Sequence, residues 1–275
     1  MFPEGLPSKN IAICTVTQLP FGSDVFFRRK SRSQRLRTAR VPEGVRVYAI
    51  GDIHGRADLL AEMFAGIDAS LEGFLAEKAI HVFLGDYVDR GPQSREVLDL
   101  LITRRRQYPA VCLKGNHEGY LVEFLKNPAV LDEWRRYGGL DTLLSYGFAP
   151  SLKPDESESS ALFSGLNRDL PESHRHFLNS LALSFTCGDF FFVHAGVRPG
   201  IPIARQAQED LLSIRDEFLL HEGAYEKVVV HGHTPVVRPD IRTNRINIDT
   251  GAYATGRLTC LILESDRMSF IPASK

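Results

Sequence analysis

The chain has 275 residues, 43% hydrophobic and 24% charged, with a formal charge of −1; this excludes a collagen-like or largely disordered polymer and leaves enough chain for a core of its own. Four widely spaced cysteines (Cys14, Cys112, Cys187, Cys260) with no CxxC pair exclude a disulfide framework and a thiolate zinc site, and they suit a reducing compartment. No apolar run approaches the roughly 18–20 residues of a membrane span, and the opening MFPEGLPSKN lacks the order of a secretion signal, so the cytoplasm is the expected compartment.

Charge is unevenly spread along the chain. Residues 26–40, FFRRKSRSQRLRTAR, hold seven Lys or Arg and no acid, so 26 basic side chains face 34 acidic ones elsewhere. The expected division is an N-terminal segment, 1–40, with a partly flexible basic arm, and one folded domain, 41–275. A solvated segment is the simpler reading of such a run; contact with an anionic partner is the other. No specific nucleic-acid motif is present.

From residue 41 short β-rich runs alternate with glycine-containing polar loops and helical stretches. The runs are VRVYAI (45–50), AIHVFL (79–84), AVCLK (110–114), DFFFV (189–193) and KVVV (227–230), then RINI (245–248) and RLTCLIL (257–263). Apolar runs of this length, closed by turn residues, read as buried strands. Between the first two, Leu60, Met63, Phe64, Ile67, Leu71, Phe74 and Leu75 recur at helical spacing over 57–78. Ser94 is the expected cap of a helix over 95–106, with Val97, Leu98, Leu101 and Ile102 on its apolar face. Around 120–185 the strand pattern gives way to a helical insertion (119–126, 129–137, 171–183) with a flexible loop at 151–160. The last two strands, with no helix between them, are expected to form a hairpin or antiparallel edge. Strands alternating with helices predict an α/β fold with largely parallel pairing.

Five of these strands end in polar motifs: GDIHG (51–55), GDYVDRG (85–91), GNHE (115–118), HAG (194–196) and HGHT (231–234). Ligands bind beyond the carboxyl ends of strands in open α/β sheets, so the five loops are expected to converge. Asp52, His54, Asp86, Asn116, His194 and His233 offer hard oxygens and imidazole nitrogens. That mixture suits Mn²⁺, Fe or Zn²⁺ better than Mg²⁺. Six ligands are too many for one catalytic ion with an open position and suit two ions sharing a carboxylate. Two divalent ions against Asp52 and Asp86 leave a positive site, which attracts a phosphate dianion.

In this order and spacing the motifs resemble those of the phosphoprotein-phosphatase branch of the calcineurin-like metallophosphoesterases, in its bacterial and phage form, over about residues 46–253. The resemblance implies a β-sandwich of two mixed sheets with helices on both outer faces, and makes 41–275 the catalytic domain. It implies that Asp52 and His54 bind one metal, that Asp86 bridges, and that Asn116, His194 and His233 bind the second. His117 would be the general acid, oriented by Asp89; Arg90 and Arg215 would clamp the phosphate. The implied reaction is direct in-line attack by a hydroxide bridging two divalent ions, manganese being the expected pair. The implied substrates are phosphoserine and phosphothreonine proteins or small phosphoesters. A dinucleoside polyphosphate such as diadenosine tetraphosphate is the alternative, and a catalytically silent phospho-binding module the third reading.

Overall fold

In the strand Val45–Ile50, Val47 and Ala49 face one way, Tyr48 and Ile50 the other, and all four are buried. Successive side chains of a strand alternate between faces, so such a strand must be covered twice. The computed structural model, which describes residues 14–17, 35–72 and 78–271, shows how. Residues 26–34 of the basic arm lie outside the described residues.

The strands are β1 (Cys14–Thr17), β2 (Val45–Ile50), β3 (Lys78–Phe83), β4 (Ala110–Cys112), β5 (Ser184–Cys187), β6 (Phe190–Val193), β7 (Val228–His231), β8 (Asp240–Ile241), β9 (Arg245–Asn247), β10 (Cys260–Glu264) and β11 (Arg267–Phe270). One sheet runs β1-β5-β6-β7-β9-β8 and the other β11-β10-β2-β3-β4. Both are mixed: β2-β3-β4 and β6-β7-β9 are parallel, while their flanking strands pair antiparallel. The fold is the expected β-sandwich of two mixed sheets with helices on both outer faces.

Three apolar clusters follow from the strand alternation. Val47, Ala49, Ile80 and Val82 meet Phe190, Phe192, Val228 and Val230 between the sheets. Tyr48, Ile50 and Phe83 pack outward on Leu60, Met63 and Ile67 of helix Ala57–Leu71 and on Val97, Leu98 and Leu101 of helix Ser94–Gln107. On the other outer face Phe191, Val193 and Val229 receive Leu211, Ile214 and Phe218. Each fully buried side chain of this size contributes on the order of 1.5–3 kcal/mol of transfer free energy. Among the described residues no helix is long and apolar enough to cross a membrane.

Four expectations change. RINI and RLTCLIL do not form a hairpin. β9 lies parallel to β7 in one sheet, while β10 crosses to the other, antiparallel to β2, and makes its hairpin with β11. The stretch 151–160 is not a loop throughout, because helix Glu156–Asp169 begins within it and Asp155 caps it by accepting the N–H of Glu158. Parallel pairing does not dominate, since β1 and β5, which carried no clear signal, add antiparallel partners. Ser94 begins its helix without capping it; its Oγ accepts the N–H of Asp89 at 3.0 Å instead, which ties the helix to the second polar motif.

Candidate active site

The polar motifs follow β2, β3, β4, β6 and β7, and the parallel course of β2-β3-β4 and of β6-β7 brings all five to one edge of the sandwich. Their backbone is strained where the function was expected. Among the described residues six non-glycines have positive φ: His54, Asp86, Asp89, Arg90, His233 and Ser265. Five of these are candidate site residues. A non-glycine in this region costs on the order of 1–3 kcal/mol and persists only where surrounding contacts enforce it.

Asp86 is the centre of the cluster. Its Oδ2 lies 3.5 Å from His54 Nε2, and its Oδ1 lies 3.4 Å from His194 Nε2, so the two carboxylate oxygens face different histidines. His54 Nδ1 donates to the Val88 carbonyl at 3.0 Å and His194 Nδ1 to the Leu84 carbonyl at 2.9 Å. Those bonds fix the tautomers and turn both Nε2 lone pairs inward. His194 Nε2 also stands 3.0 Å from Asn116 Oδ1 and 3.2 Å from His233 Nδ1. Burial keeps these imidazoles neutral: it pulls His54 down to about 3, His233 down to about 2 and His194 below its ordinary value.

The donor set fits divalent ions. His54, Asp86 and His117 bring ligand atoms within 4.8 Å of one another, as do Asp86, His194 and His233. Asp52 Oδ2 accepts the N–H of His233 at 2.9 Å, while Oδ1 is buried without a hydrogen-bond partner, as is His233 Nε2. Asp249 packs beside Asp52. Burial, Asp249 and Asp86 push Asp52 well above the carboxylate range, and burial raises Asp249 to about 6. Crowded buried carboxylates and inward lone pairs are unfavourable without a cation between them. His117 belongs geometrically to the first group, but its ring is engaged on both sides by Asp89 and Arg90, and Asp52 supplies the free oxygen.

Asp89 sits in a closed cage. Its Oδ2 accepts from His117 Nδ1 at 2.7 Å and from Trp134 Nε1 at 2.8 Å, and its Oδ1 accepts from Thr142 Oγ1 at 2.6 Å. Burial opposes a charged His117, but Asp86 and the bond and charge of Asp89 outweigh it and hold the imidazole above its ordinary value. Arg90 Nη2 is 3.2 Å from His117 Nε2, and its guanidinium carbon lies 4.9 Å over the ring of Tyr253, a cation–π contact that steadies it. Arg215 is exposed, and its Nη1 donates to Thr234 Oγ1 at 3.2 Å, beside His233. All ten sequence-predicted residues therefore come together.

Several residues outside these ten also contribute. Trp134 and Thr142 stand 45 and 53 residues from Asp89. Glu118, the last residue of GNHE, is fully buried; its two oxygens accept the N–H groups of Gly115, Asp86, Tyr87 and Val88, locking the second motif to the third. Asp249 accepts the N–H of Gly251 at 2.9 Å and also crowds Asp52, so it lines the site as well as forming its turn. Arg56 is occupied by Asp58 and the Ala252 carbonyl, and His231 packs edge-on against Phe218, away from the ligand groups.

Gly115 marks how tightly the motifs meet: a Cβ there would stand 2.1 Å from Asp86 Oδ1 and 2.5 Å from Asp86 N. Gly115→Ala should destabilise the protein by about 1–3 kcal/mol through overpacking and displace Asp86. Urea midpoint and bound-metal stoichiometry check this; wild-type values for both would contradict it.

The family model described as calcineurin-like phosphoesterase matches residues 45–260. The chain belongs to the calcineurin-like phosphoesterases. It is thus a metallophosphoesterase, a hydrolase of a family that works with a binuclear divalent centre, and the site clusters fit one. It is 29% identical over 241 residues to the asymmetrical bis(5'-nucleosyl)-tetraphosphatase PrpE of Anoxybacillus flavithermus, covering 77% of this chain and 88% of the relative. It is 28% identical over 243 residues to PrpE of Halalkalibacterium halodurans, covering 82% and 92%. Among solved structures, the cold-active protein-tyrosine phosphatase of a Shewanella species superposes with a TM-score of 0.52 at 16% identity, over 86% of this chain and 84% of that one. That likeness bears on the fold of this calcineurin-like phosphoesterase alone.

Proposed function

We propose that this phosphoesterase hydrolyses dinucleoside tetraphosphates into unequal products. The supporting observation is near full-length similarity, 88% and 92% of each relative, to two proteins named for that reaction. The phosphoserine and phosphothreonine reading of the motifs gives way on that ground; the motifs carry the phosphoryl chemistry, which the two substrate classes share.

Asp52, His54 and Asp86 would hold one divalent ion, and Asp86, Asn116, His194 and His233 the other, with manganese the proposed metal and iron or zinc compatible with the same donors. The pair would supply Lewis-acid charge and an activated water. Arg90 and Arg215 bind the phosphate oxygens, Arg90 from its seat over Tyr253. His117 holds a proton on Nε2 and delivers it to the oxygen that leaves phosphorus, while water supplies the oxygen that joins it. Asp89 keeps the Nδ1 proton in place, and Trp134 and Thr142 keep Asp89 in place.

The deciding measurement is kcat/KM with manganese for diadenosine tetraphosphate, a phosphoserine peptide and a phosphotyrosine peptide. At least tenfold preference for the dinucleotide, about 1.4 kcal/mol of differential transition-state binding, is expected. An equal preference for either peptide would overturn the assignment and return it to a protein phosphatase.

A further inference from the structure

Two stacked aromatic rings, Tyr137 and Tyr120, stand next to the acid. Tyr137 is 40% exposed although it lies at the site. One face is stacked on Tyr120, with centroids 5.1 Å apart and planes 21° from parallel, and it meets His117 edge-on at 6.2 Å. Tyr120 is itself fixed, since its Oη donates to Glu133 Oε1 at 2.9 Å. The next residue, Gly138, has φ +95° and accepts the N–H of Arg90 at 3.3 Å; a Cβ there would come within 2.6 Å of Arg90 N. Tyr137 is thus held in register with the phosphate-binding arginine by backbone, and a second ring backs it.

An exposed, rigid, stacked tyrosine is a poor surface residue and a good platform. Its position is chemically informative, because His117 protonates the leaving oxygen and Tyr137 therefore stands on the leaving-group side. Purines have a flat π face that stacks on tyrosine with little demand on sequence, and each such contact is worth about 1–3 kcal/mol. We infer that Tyr137, backed by Tyr120, stacks the nucleobase of the leaving nucleotide and so selects dinucleoside polyphosphates over esters with aliphatic leaving groups. This rests on the function proposed above and adds a specificity-determining residue to it.

The test is steady-state kinetics of the metal-loaded full chain on diadenosine tetraphosphate, comparing Tyr137→Phe, Tyr137→Leu and Tyr137→Ala. Phe keeps the π face, Leu keeps apolar bulk without it, and Ala removes both. Phe should match wild type, while Leu and Ala should raise KM about 5- to 150-fold, the range that corresponds to the stacking energy. A Leu variant that binds as well as Phe, or an Ala variant whose loss lies in kcat with KM unmoved, overturns the inference and leaves the proposed function standing. A wild-type enzyme inactive on the dinucleotide sinks both together.

Discussion

Replacing His117 by Asn should lower kcat on an alkyl phosphate about 10²–10⁴-fold, the usual contribution of a positioned general acid, with bound metal at the wild-type amount. The reason lies in the cage. His117 Nδ1 is 2.7 Å from an Asp89 carboxylate that has no exposure to water. Its Nε2 faces Arg90, where phosphate would be bound. Asn can keep the shape near Asp89 but cannot carry a proton to the leaving oxygen. An alkoxide needs that proton, and a nucleoside polyphosphate, already a stable anion, needs it less. The loss on diadenosine tetraphosphate should therefore be smaller than on the alkyl ester, and equal losses would mean that His117 does something other than protonate. Burial pulls His117 down while Asp86 and Asp89 raise it, and the net effect is upward. An acid works while protonated, so a raised value extends activity to higher pH. Asp89→Asn removes part of that effect and should move the alkaline limb of the kcat profile to lower pH; an unmoved limb would detach Asp89 from the acid.

Much of this site could be read from the chain because its parts are local. Asp52, Asp86, Asn116, His194 and His233 all come just after an apolar run, and the parallel course of the strands those runs form puts the loops at one edge. What escaped was non-local or read with the wrong cue. Trp134 and Thr142 reach Asp89 across a helical insertion whose packing has no short-range pattern. The stretch 134–139, WRRYGG, reads first as helix packing and second as a substrate wall, because exposure beside a functional group cannot be seen in a sequence. The crossing of β10 to lie antiparallel to β2 is a pairing of residues about 210 positions apart, and no local pattern announces it. The start of helix Glu156–Asp169 has a local signal that outweighs the polar composition of 151–160: Asp155 followed three residues later by Glu158 carries the signature of a capped helix.

The largest change in stability should come from the metals, through Asp86. The folded chain brings Asp52, Asp86 and Asp249 together in burial with the inward lone pairs of His54 and His194. An ion that binds this state and not the unfolded one stabilises it by about 2.7 kcal/mol at a hundred times its Kd. At about 2–4 °C per kcal/mol for a domain of this size, that is roughly 5–11 °C in Tm. Chelation of the wild-type protein should remove this increment and manganese should restore it. Asp86→Asn should lose most of it, because one carboxylate serves both groups of ligands and the amide supplies neither the charge nor a second oxygen. In chelator two effects of Asp86 oppose each other: its charge repels Asp52 and Asp249, but its Oδ1 accepts the N–H of His117 at 3.2 Å and the surrounding histidines favour the charged carboxylate. The Asn variant, which keeps an oxygen and loses the charge, should therefore melt near the wild-type temperature. Calorimetry with and without manganese separates the two roles. A variant that melts lower in chelator and still gains the full metal increment would show that Asp86 holds the fold together rather than the ions.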